Sequence, residues 1–200
     1  MSDVSSNPIL YLQQENARLH DDLAAMREQM ANLRQVINAL RDLQDAHGLI
    51  TPNTEPFAIL DAIMSAAFLC VNATAGSLAL VDHEAQELVF VIVRGEASEL
   101  ANYRMPLAQG IGGWVATYNQ PVRLKDVHGD PRFSPDVDQR FNYHTESLLC
   151  VPMEDDGRVL GVLYALNKAN HQQFDADDQS LLMVVAQLAA RALKKAESPQ

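Results

Sequence analysis

The sequence predicts an α+β domain in which helices flank one antiparallel or mixed sheet, preceded by a long coiled-coil helix. Three observations support this class: a heptad repeat near the start, short β-rich runs joined by polar turns, and an amphipathic helix on either side of those runs. The 200 residues, 48% of them hydrophobic, suffice for one core and an appendage. We expect a flexible N-terminus over residues 1–8, a coiled coil over 9–47, a linker over 48–53 and one domain over 54–197.

The charge and the apolar runs exclude several classes of partner. A net charge of −11 opposes a surface that follows nucleic-acid phosphates, because such surfaces need clustered Lys and Arg. No apolar run reaches the roughly 20 residues of a membrane span, and the first residues lack the positive stretch of a signal peptide. The two cysteines, Cys70 and Cys150, fit free buried thiols of a reducing compartment. We therefore expect a cytoplasmic protein that binds neither nucleic acid nor a membrane.

The first predicted element is a parallel two-stranded coiled coil, which makes the protein a homodimer. Asn16 at an a position sets the register of parallel dimers, and Leu at d favours two strands. A parallel pair also brings Asp22 near Arg27 of the second chain, whereas an antiparallel pair sets Arg beside Arg. The alternative is one helix of an intramolecular bundle. The inward positions assigned to dimerisation are Leu12, Asn16, Leu19, Leu23, Met26, Met30, Leu33, Ile37 and Leu40.

The first half of the domain has the pattern of a helix, a hairpin and a second short helix. Pro56 in a first turn, followed by apolar residues three and four apart, predicts a helix that packs on the sheet. Two β-rich runs joined by a polar turn are typical of a β-hairpin. The expected elements are a helix over 55–71, strands over 77–81, 88–93 and 104–107, a helix over 110–118 and a strand over 122–124.

The second half begins with a long connection over 125–146. Its aromatic residues predict that it covers a pocket, because loops of this length are seldom mere linkers. Two strands follow, over 148–153 and 159–166, around an Asp156-Gly157 pair that suits a tight hairpin turn. The second of these runs is almost wholly apolar, which indicates a strand in the middle of the sheet, and Gly161 within it indicates close approach of another backbone.

The last predicted element is a helix over 175–195. Asp175 is a good N-cap, and Asp178 stands at N3 as the acid of a capping box. The apolar residues expected on its buried face are Leu181, Val184, Val185, Leu188, Ala192 and Leu193.

Residues before and at the start of this helix carry a family resemblance. Asn167, Lys168, Phe174 and Asp178 resemble the Asn-Lys, Phe, Asp-Glu motif of GAF domains related to cyclic-nucleotide receptors, with Gln179 in place of the final Glu. The resemblance covers roughly residues 54–195. It extends to an upstream pattern made of Asp126, Asp130, Arg132, Phe133, Asp138, Tyr143, Thr145, Leu149, Cys150 and Pro152.

The resemblance implies a GAF fold with a ligand pocket between the first strands and the long connection. It also implies small hydroxyl contacts at Ser77 and Thr145, whereas Tyr164 replaces a Glu of cyclic-nucleotide-binding relatives. This aromatic pocket makes cyclic-nucleotide binding the less favoured form of the function. Lys168 and Asp178 are read as a structural ion pair between the last strand and the last helix. The candidate ligand-binding residues are Ser77, Arg94, Phe133, Phe141, Tyr143, Thr145 and Tyr164.

The sequence carries no catalytic or metal-binding signature and identifies no cofactor. The glycines at 110, 112 and 113 are not followed by a P-loop lysine, so a tight turn with close helix packing is favoured over an anion site. The six histidines lack metal-ligand spacing. GAF proteins that reduce free methionine sulfoxide use several loop cysteines, and those that attach bilins use a Cys near Ser-Pro-x-His, and this sequence has neither arrangement.

We therefore expect a non-enzymatic sensory or regulatory module of signal transduction, dimerised by its coil and binding a small ligand. No kinase, cyclase, phosphodiesterase or DNA-binding segment follows Lys195, so a separate protein is expected to give the output unless this sequence is a fragment of a longer chain. The alternative is an adaptor or assembly protein whose pocket is filled or collapsed and whose coil recruits a partner. The sequence identifies neither the ligand nor that partner.

Overall fold

The structure is a computed structural model that describes residues 11, 13–20, 56–95 and 98–197. Residues 11 and 13–20 are helical, and Leu19 is 53% exposed. Of the residues assigned to dimerisation, only Asn16 and Leu19 are among those described, so the coiled coil remains a prediction. The linker over 48–53 also lies outside the described residues. No helix in the described part of the chain combines the length and the apolar character needed to cross a membrane.

The centre of the domain is one six-stranded sheet. Its order is β3-β2-β1-β6-β5-β4, and each of its five strand pairs is antiparallel. The sheet is therefore not mixed, because two hairpins are joined by an antiparallel contact between β1 and β6. The strands are β1 (Ala73–Asp82), β2 (Glu87–Arg94), β3 (Arg104–Pro106), β4 (Val122–Leu124), β5 (Leu148–Asp155) and β6 (Arg158–Lys168).

The prediction that the last strand is central is confirmed. β6 lies between β1 and β5 and is buried on both faces over residues 161–165. A Cβ atom at Gly161 would lie 2.5 Å from the carbonyl oxygen of Ala79, so only glycine permits this approach of the two strands. Asp156 (φ 50°) and Gly157 (φ 80°) supply the positive φ angles of the predicted hairpin turn.

Helices cover both faces of the sheet. The helices α1 (Pro56–Val71) and α4 (Ala176–Glu197) pack on each other and on one face, where Leu60, Ile63 and Leu182 are among the fully buried residues. The helix α2 (Gly110–Tyr118) packs on the other face with a second apolar cluster that includes Val115 and Tyr164. The two clusters place the sheet in the middle of a three-layer domain.

Two predictions about helices are corrected. The predicted face of α4 included Val184, which is 49% exposed, whereas Leu182, Val185, Ala186, Ala189 and Ala190 form the buried stripe. The alanines let α4 lie close to α1. Because apolar residues occur around most of α4, the sequence alone did not show which of them face the core. The connection over 125–146 also contains a helix, α3 (Asp136–Phe141), which ends at Asn142 (φ 48°).

Candidate functional site

A cavity lies between the sheet and the segment 125–147, which includes α3. Counted as the space open to the centre of a water molecule, it measures about 80 Å³. Its walls are mostly apolar, from β1, β2, β6, α2 and α3. All seven predicted ligand-binding residues lie on its lining: Ser77, Arg94, Phe133, Phe141, Tyr143, Thr145 and Tyr164.

The aliphatic part of the lining was not predicted from the sequence. The cross-strand register identifies some of these lining residues, because Ser77 of β1 pairs with Val93 on one side and with Tyr164 on the other. That register contains a shift between Leu78 and Ala79, which alternation alone does not reveal. The missed lining residues include Val93, Leu100, Met105, Ile111, Val137, Leu148 and Leu166.

Asp138 closes the segment over the cavity. Its Oδ2 atom accepts a hydrogen bond from the backbone N–H of Thr145 (2.8 Å), and its Oδ1 atom accepts one from the Thr145 hydroxyl (2.8 Å). The carbonyl oxygen of Asp138 accepts the N–H of Tyr143 (2.9 Å). Thr145, which is 3% exposed, is thus held at the cavity wall by Asp138 of α3. Besides lining the pocket as predicted, Thr145 therefore helps to fix the segment above it.

Asn167 ties the other end of the segment to β6. Its Oδ1 atom accepts the backbone N–H groups of Glu146 (2.8 Å) and Ser147 (3.3 Å). Its Nδ2 atom donates to the carbonyl oxygen of His144 (2.8 Å) and to the hydroxyl of Tyr143 (3.2 Å). Asn167 itself has a positive φ of 52°, which Asn tolerates better than most residues. One side chain therefore holds the residues that lead from the cavity roof into β5.

Tyr164 fills the space beneath the first turn of α2. Its ring stacks on Phe90 with centroids 5.9 Å apart, and its hydroxyl oxygen accepts the N–H of Gly112. A Cβ atom at Gly112 would lie 1.6 Å from that oxygen, so only glycine fits. The side chain of the N-cap residue, Gln109, makes no capping bond, and Tyr164 supplies an acceptor instead. Burial raises the pKa of Tyr164 well above its usual range, so the hydroxyl stays neutral.

Arg94 lies at the rim of the cavity, at the end of β2. Its guanidinium forms an ion pair with Asp61 of α1 and lies 3.4 Å from the Ser65 hydroxyl. The side chains of Arg94 and Asp61 are 46% and 44% exposed. Ser77, by contrast, is 2% exposed on the floor of the cavity. The polar groups that reach the cavity are few, and Arg94 links it to α1.

Lys168 and Asp178 do not line the cavity. The Lys168 ammonium contacts the Asp178 carboxylate, and both side chains are about nine-tenths buried. Asp178 Oδ2 also accepts the N–H of Asp175 (2.8 Å), while Asp175 Oδ1 accepts the N–H of Asp178 (2.9 Å). This reciprocal pair is the capping box expected from the sequence. The N–H of Asp178 is also the main cause that lowers the pKa of Asp175.

The two thiols are poorly suited to nucleophilic chemistry. Burial raises the pKa of Cys70 to about 11 and that of Cys150 well above its usual range. Because the thiolate is the reactive form, both are poor nucleophiles at neutral pH. Within the described ranges, no three His, Cys, Asp or Glu side chains are grouped to hold a metal ion.

Comparison with protein families identifies one match that spans most of the domain. Residues 55–193 match the GAF domain family. Two curated relatives are phosphodiesterases: dual 3',5'-cyclic-AMP and -GMP phosphodiesterase 11A of Takifugu rubripes, 34% identical over 47% of this chain, and probable 3',5'-cyclic phosphodiesterase pde-5 of Caenorhabditis elegans, 26% identical over 86% of it. The matches cover only 11% and 25% of those two proteins, so the chain spans a small part of their length.

Solved structures share the fold at low sequence identity. The GAF domain of a phosphoenolpyruvate-protein phosphotransferase from Coxiella burnetii has a TM-score of 0.70 at 19% identity, with 84% of this chain and 96% of that one covered. The free methionine-R-sulfoxide reductase of Neisseria meningitidis has a TM-score of 0.62 at 24% identity, with 78% and 87% covered. These likenesses concern the arrangement of the strands and helices.

Proposed function

Because this chain belongs to the GAF domain family, we propose that it is a non-enzymatic sensory or regulatory module that binds a small ligand in the cavity beneath segment 125–147. The observation that carries the proposal is the cavity itself, with apolar walls and a few polar groups, as is usual of small-molecule sites. A collapsed or filled pocket would have favoured the adaptor alternative. The predicted coil over 9–47 holds two chains in parallel and makes the module a homodimer.

The size of the cavity limits the ligand. At about 80 Å³ it is smaller than the roughly 300–1,000 Å³ typical of sites for drug-sized molecules. A ligand well below drug size fits this space better than a cyclic nucleotide, for which the segment 125–147 has to move outward. The phosphodiesterase relatives nevertheless make cyclic AMP and cyclic GMP the natural first titrants.

The raised pKa values of both thiols support a function that is not enzymatic. One solved structure with this fold is a methionine sulfoxide reductase, so thiol chemistry is the enzyme activity to consider first. Cys70 is only half-buried, but its pKa of about 11 leaves little thiolate at neutral pH, whereas Cys150 is fully buried and its pKa is raised as well. Neither thiol lines the cavity.

The signal leaves through the helices α1 and α4. Both pack on the face of the sheet opposite the cavity, and α1 follows the linker from the predicted coil. A ligand changes the helices only if it binds two arrangements of the dimer with different affinity. We expect the output to come from a partner protein or from another part of a longer chain.

Native mass spectrometry tests the proposal with one pair of variants. Val137→Phe fills the cavity from α3, whereas Gln139→Phe adds the same ring at an exposed position of the same helix. We expect untagged protein from its own cells to form a dimer near twice 22.1 kDa that carries a constant added mass. That mass should persist in Gln139→Phe and disappear in Val137→Phe.

Other outcomes of that experiment contradict the proposal. A dimer without added mass that also shows no saturable binding of cyclic nucleotides or of a metabolite mixture contradicts the ligand pocket and favours the adaptor alternative. An added mass that survives Val137→Phe places the ligand elsewhere. A monomer contradicts the predicted coil.

A further inference from the structure

Arg94 is the one cationic side chain among the described residues that line the cavity. Asp138 is the one carboxylate there, and both of its oxygens already accept hydrogen bonds from Thr145. The remaining lining is apolar or carries a hydroxyl or phenol, apart from backbone groups. Among these lining residues, the one charged group that is not bonded to the cavity wall is therefore the Arg94 guanidinium, which in this structure contacts α1.

The present partner of Arg94 is weakly held. The ion pair with Asp61 is about half exposed on both sides, and exposed pairs add little to stability because water screens them. The second contact, to the Ser65 hydroxyl, is long at 3.4 Å. Arg94 can therefore exchange Asp61 for another anion at small cost. Its side chain lies on the α1 side of the sheet, and because β3 pairs only with residues 87–89 of β2, the long side chain can turn around the end of β2 toward the cavity.

We propose that the ligand is a small organic anion whose apolar body fills the cavity and whose carboxylate, or a similar group, draws Arg94 away from Asp61. This inference rests on the proposed function, since it names the ligand class of the same cavity. The guanidinium fork of Arg matches a carboxylate in a bidentate geometry. The apolar walls exclude water from the body of the ligand, so its anionic group is expected at the edge of the cavity next to Arg94.

The exchange also has a consequence for α1. Arg94 ends β2 and Asp61 lies on α1, so their ion pair joins the cavity rim to the helix that follows the linker. A bound anion that takes Arg94 leaves Asp61 without this link. Occupancy of the cavity is thereby reported to α1 by a change of partner of one side chain.

Three probes of one shape and different charge test the ligand class. Benzoate, benzamide and benzylamine are titrated into the full chain, and binding is followed by the amide chemical shifts of the cavity residues. We expect benzoate to bind about tenfold more tightly than benzamide, because a charge-assisted hydrogen bond to Arg94 is worth about one power of ten or more. Benzylamine should bind most weakly.

Two variants with opposite expected effects identify Arg94 as the cause. Arg94→Gln should remove the preference for benzoate over benzamide. Asp61→Asn removes the competing carboxylate and should tighten benzoate binding about two- to fivefold, the range expected for an exposed ion pair. Arg104→Gln is the matched control, because Arg104 is also 46% exposed and paired with two carboxylates but does not line the cavity.

The outcomes separate this inference from the function on which it rests. If none of the three probes shifts the cavity amides, the ligand pocket and the proposed function are overturned together with the inference. If the probes bind without a preference for benzoate, or if the preference survives Arg94→Gln, the anion inference is wrong and the pocket stands. Tighter benzoate binding in Asp61→Asn but not in Arg104→Gln supports the exchange of partners.

Discussion

At the scale of single residues, Gly112 and Tyr164 determine how α2 meets the sheet. The hydroxyl of Tyr164 occupies the place of a Cβ atom at Gly112 and accepts the N–H there. This contact explains Gly112 as a requirement of packing, and a Cβ atom at Gly113 would likewise lie 2.1 Å from the carbonyl oxygen of Leu107. Close packing is the reading that the sequence favoured over an anion site. The contact with Gly112 also places the Tyr164 ring between the second core cluster and the cavity.

Replacing Tyr164 by Phe should therefore lower the free energy of unfolding. The change leaves the N–H of Gly112 without its acceptor in a buried place, which costs about 1–3 kcal/mol. Tyr118→Phe is the control, because Tyr118 lies on α2, the helix that contains Gly112, and is 61% exposed. Its loss of unfolding free energy should stay below about 0.5 kcal/mol. Urea unfolding of both variants checks this, and equal stability of Tyr164→Phe and the unaltered protein would contradict the capping role.

A second residue-scale expectation concerns acid. The Arg132 side chain, which hydrogen-bonds the Asp130 carboxylate, holds the pKa of that carboxyl below its usual value of 3.8. A depressed folded pKa contributes stability that is complete above pH 3.8 and is lost as the pH falls through the lower folded value. Asp130→Asn should thus be less stable than the unaltered protein at pH 6. Between pH 6 and pH 3, however, the stability of the variant should fall by less than that of the unaltered protein. An identical acid response in both proteins contradicts the assignment.

At the scale of elements, the junction between β6 and α4 depends on Lys168 and Asp178. Their buried contact and the capping box at Asp175 fix the first turn of α4 against the end of β6. The neighbouring Asn167 fixes the cavity roof at the same point. The consecutive residues Asn167 and Lys168 thus connect the segment over the cavity with the helix on the opposite face of the sheet.

Asp178→Asn should destabilise the domain by about 3–5 kcal/mol, because it leaves the Lys168 charge buried without its main counter-charge. The amide oxygen of Asn can still accept the N–H of Asp175, so the variant tests the charge more than the cap. Asp177→Asn, exposed in the same turn, should change stability by less than about 0.5 kcal/mol. Thermal unfolding compares the two variants, and equal effects would show that the ion pair has no special role.

How much of these elements the sequence predicted depends on whether the signal was local. Asp156-Gly157 identified its hairpin, and Asp175 with Asp178 identified the start of α4, because turns and caps are set by neighbouring residues. The rotation of α4 was wrong at Val184, and α3 was missed inside a connection, because tertiary packing decides both. The candidate pocket residues came from the family resemblance, while their apolar neighbours depended on strand register.

At the scale of the whole molecule, the cavity lies on one face of the sheet and the helices α1 and α4 lie on the other. α1 connects to both, since it packs in the first core cluster and carries Asp61, the partner of Arg94 at the cavity rim. In the proposed dimer, the predicted coil precedes α1 through the linker. A change at the cavity can therefore reach the dimer through a single helix.

Removal of residues 1–47 tests the dimer. The remaining domain should form a smaller oligomer, or one that already dissociates at a higher protein concentration, because the heptads supply the main contact. Light scattering over a dilution series measures this, with Asn16→Leu in the full chain as a second variant. Asn16→Leu should relax the preference for two strands and give larger assemblies. An unchanged subunit count after the deletion contradicts dimerisation through the coil.

The most direct measurement of the central claim is hydrogen exchange of the full chain as purified from its own cells, compared with the same protein after unfolding, dialysis and refolding. Loss of a retained ligand should raise the exchange of the amides in 136–147 and in α1, while the hairpin turn at 83–86 stays unchanged as an internal control. Faster exchange in the segment and in the helix together supports a sensor that reports cavity occupancy. Identical exchange in both samples throughout the chain would contradict it.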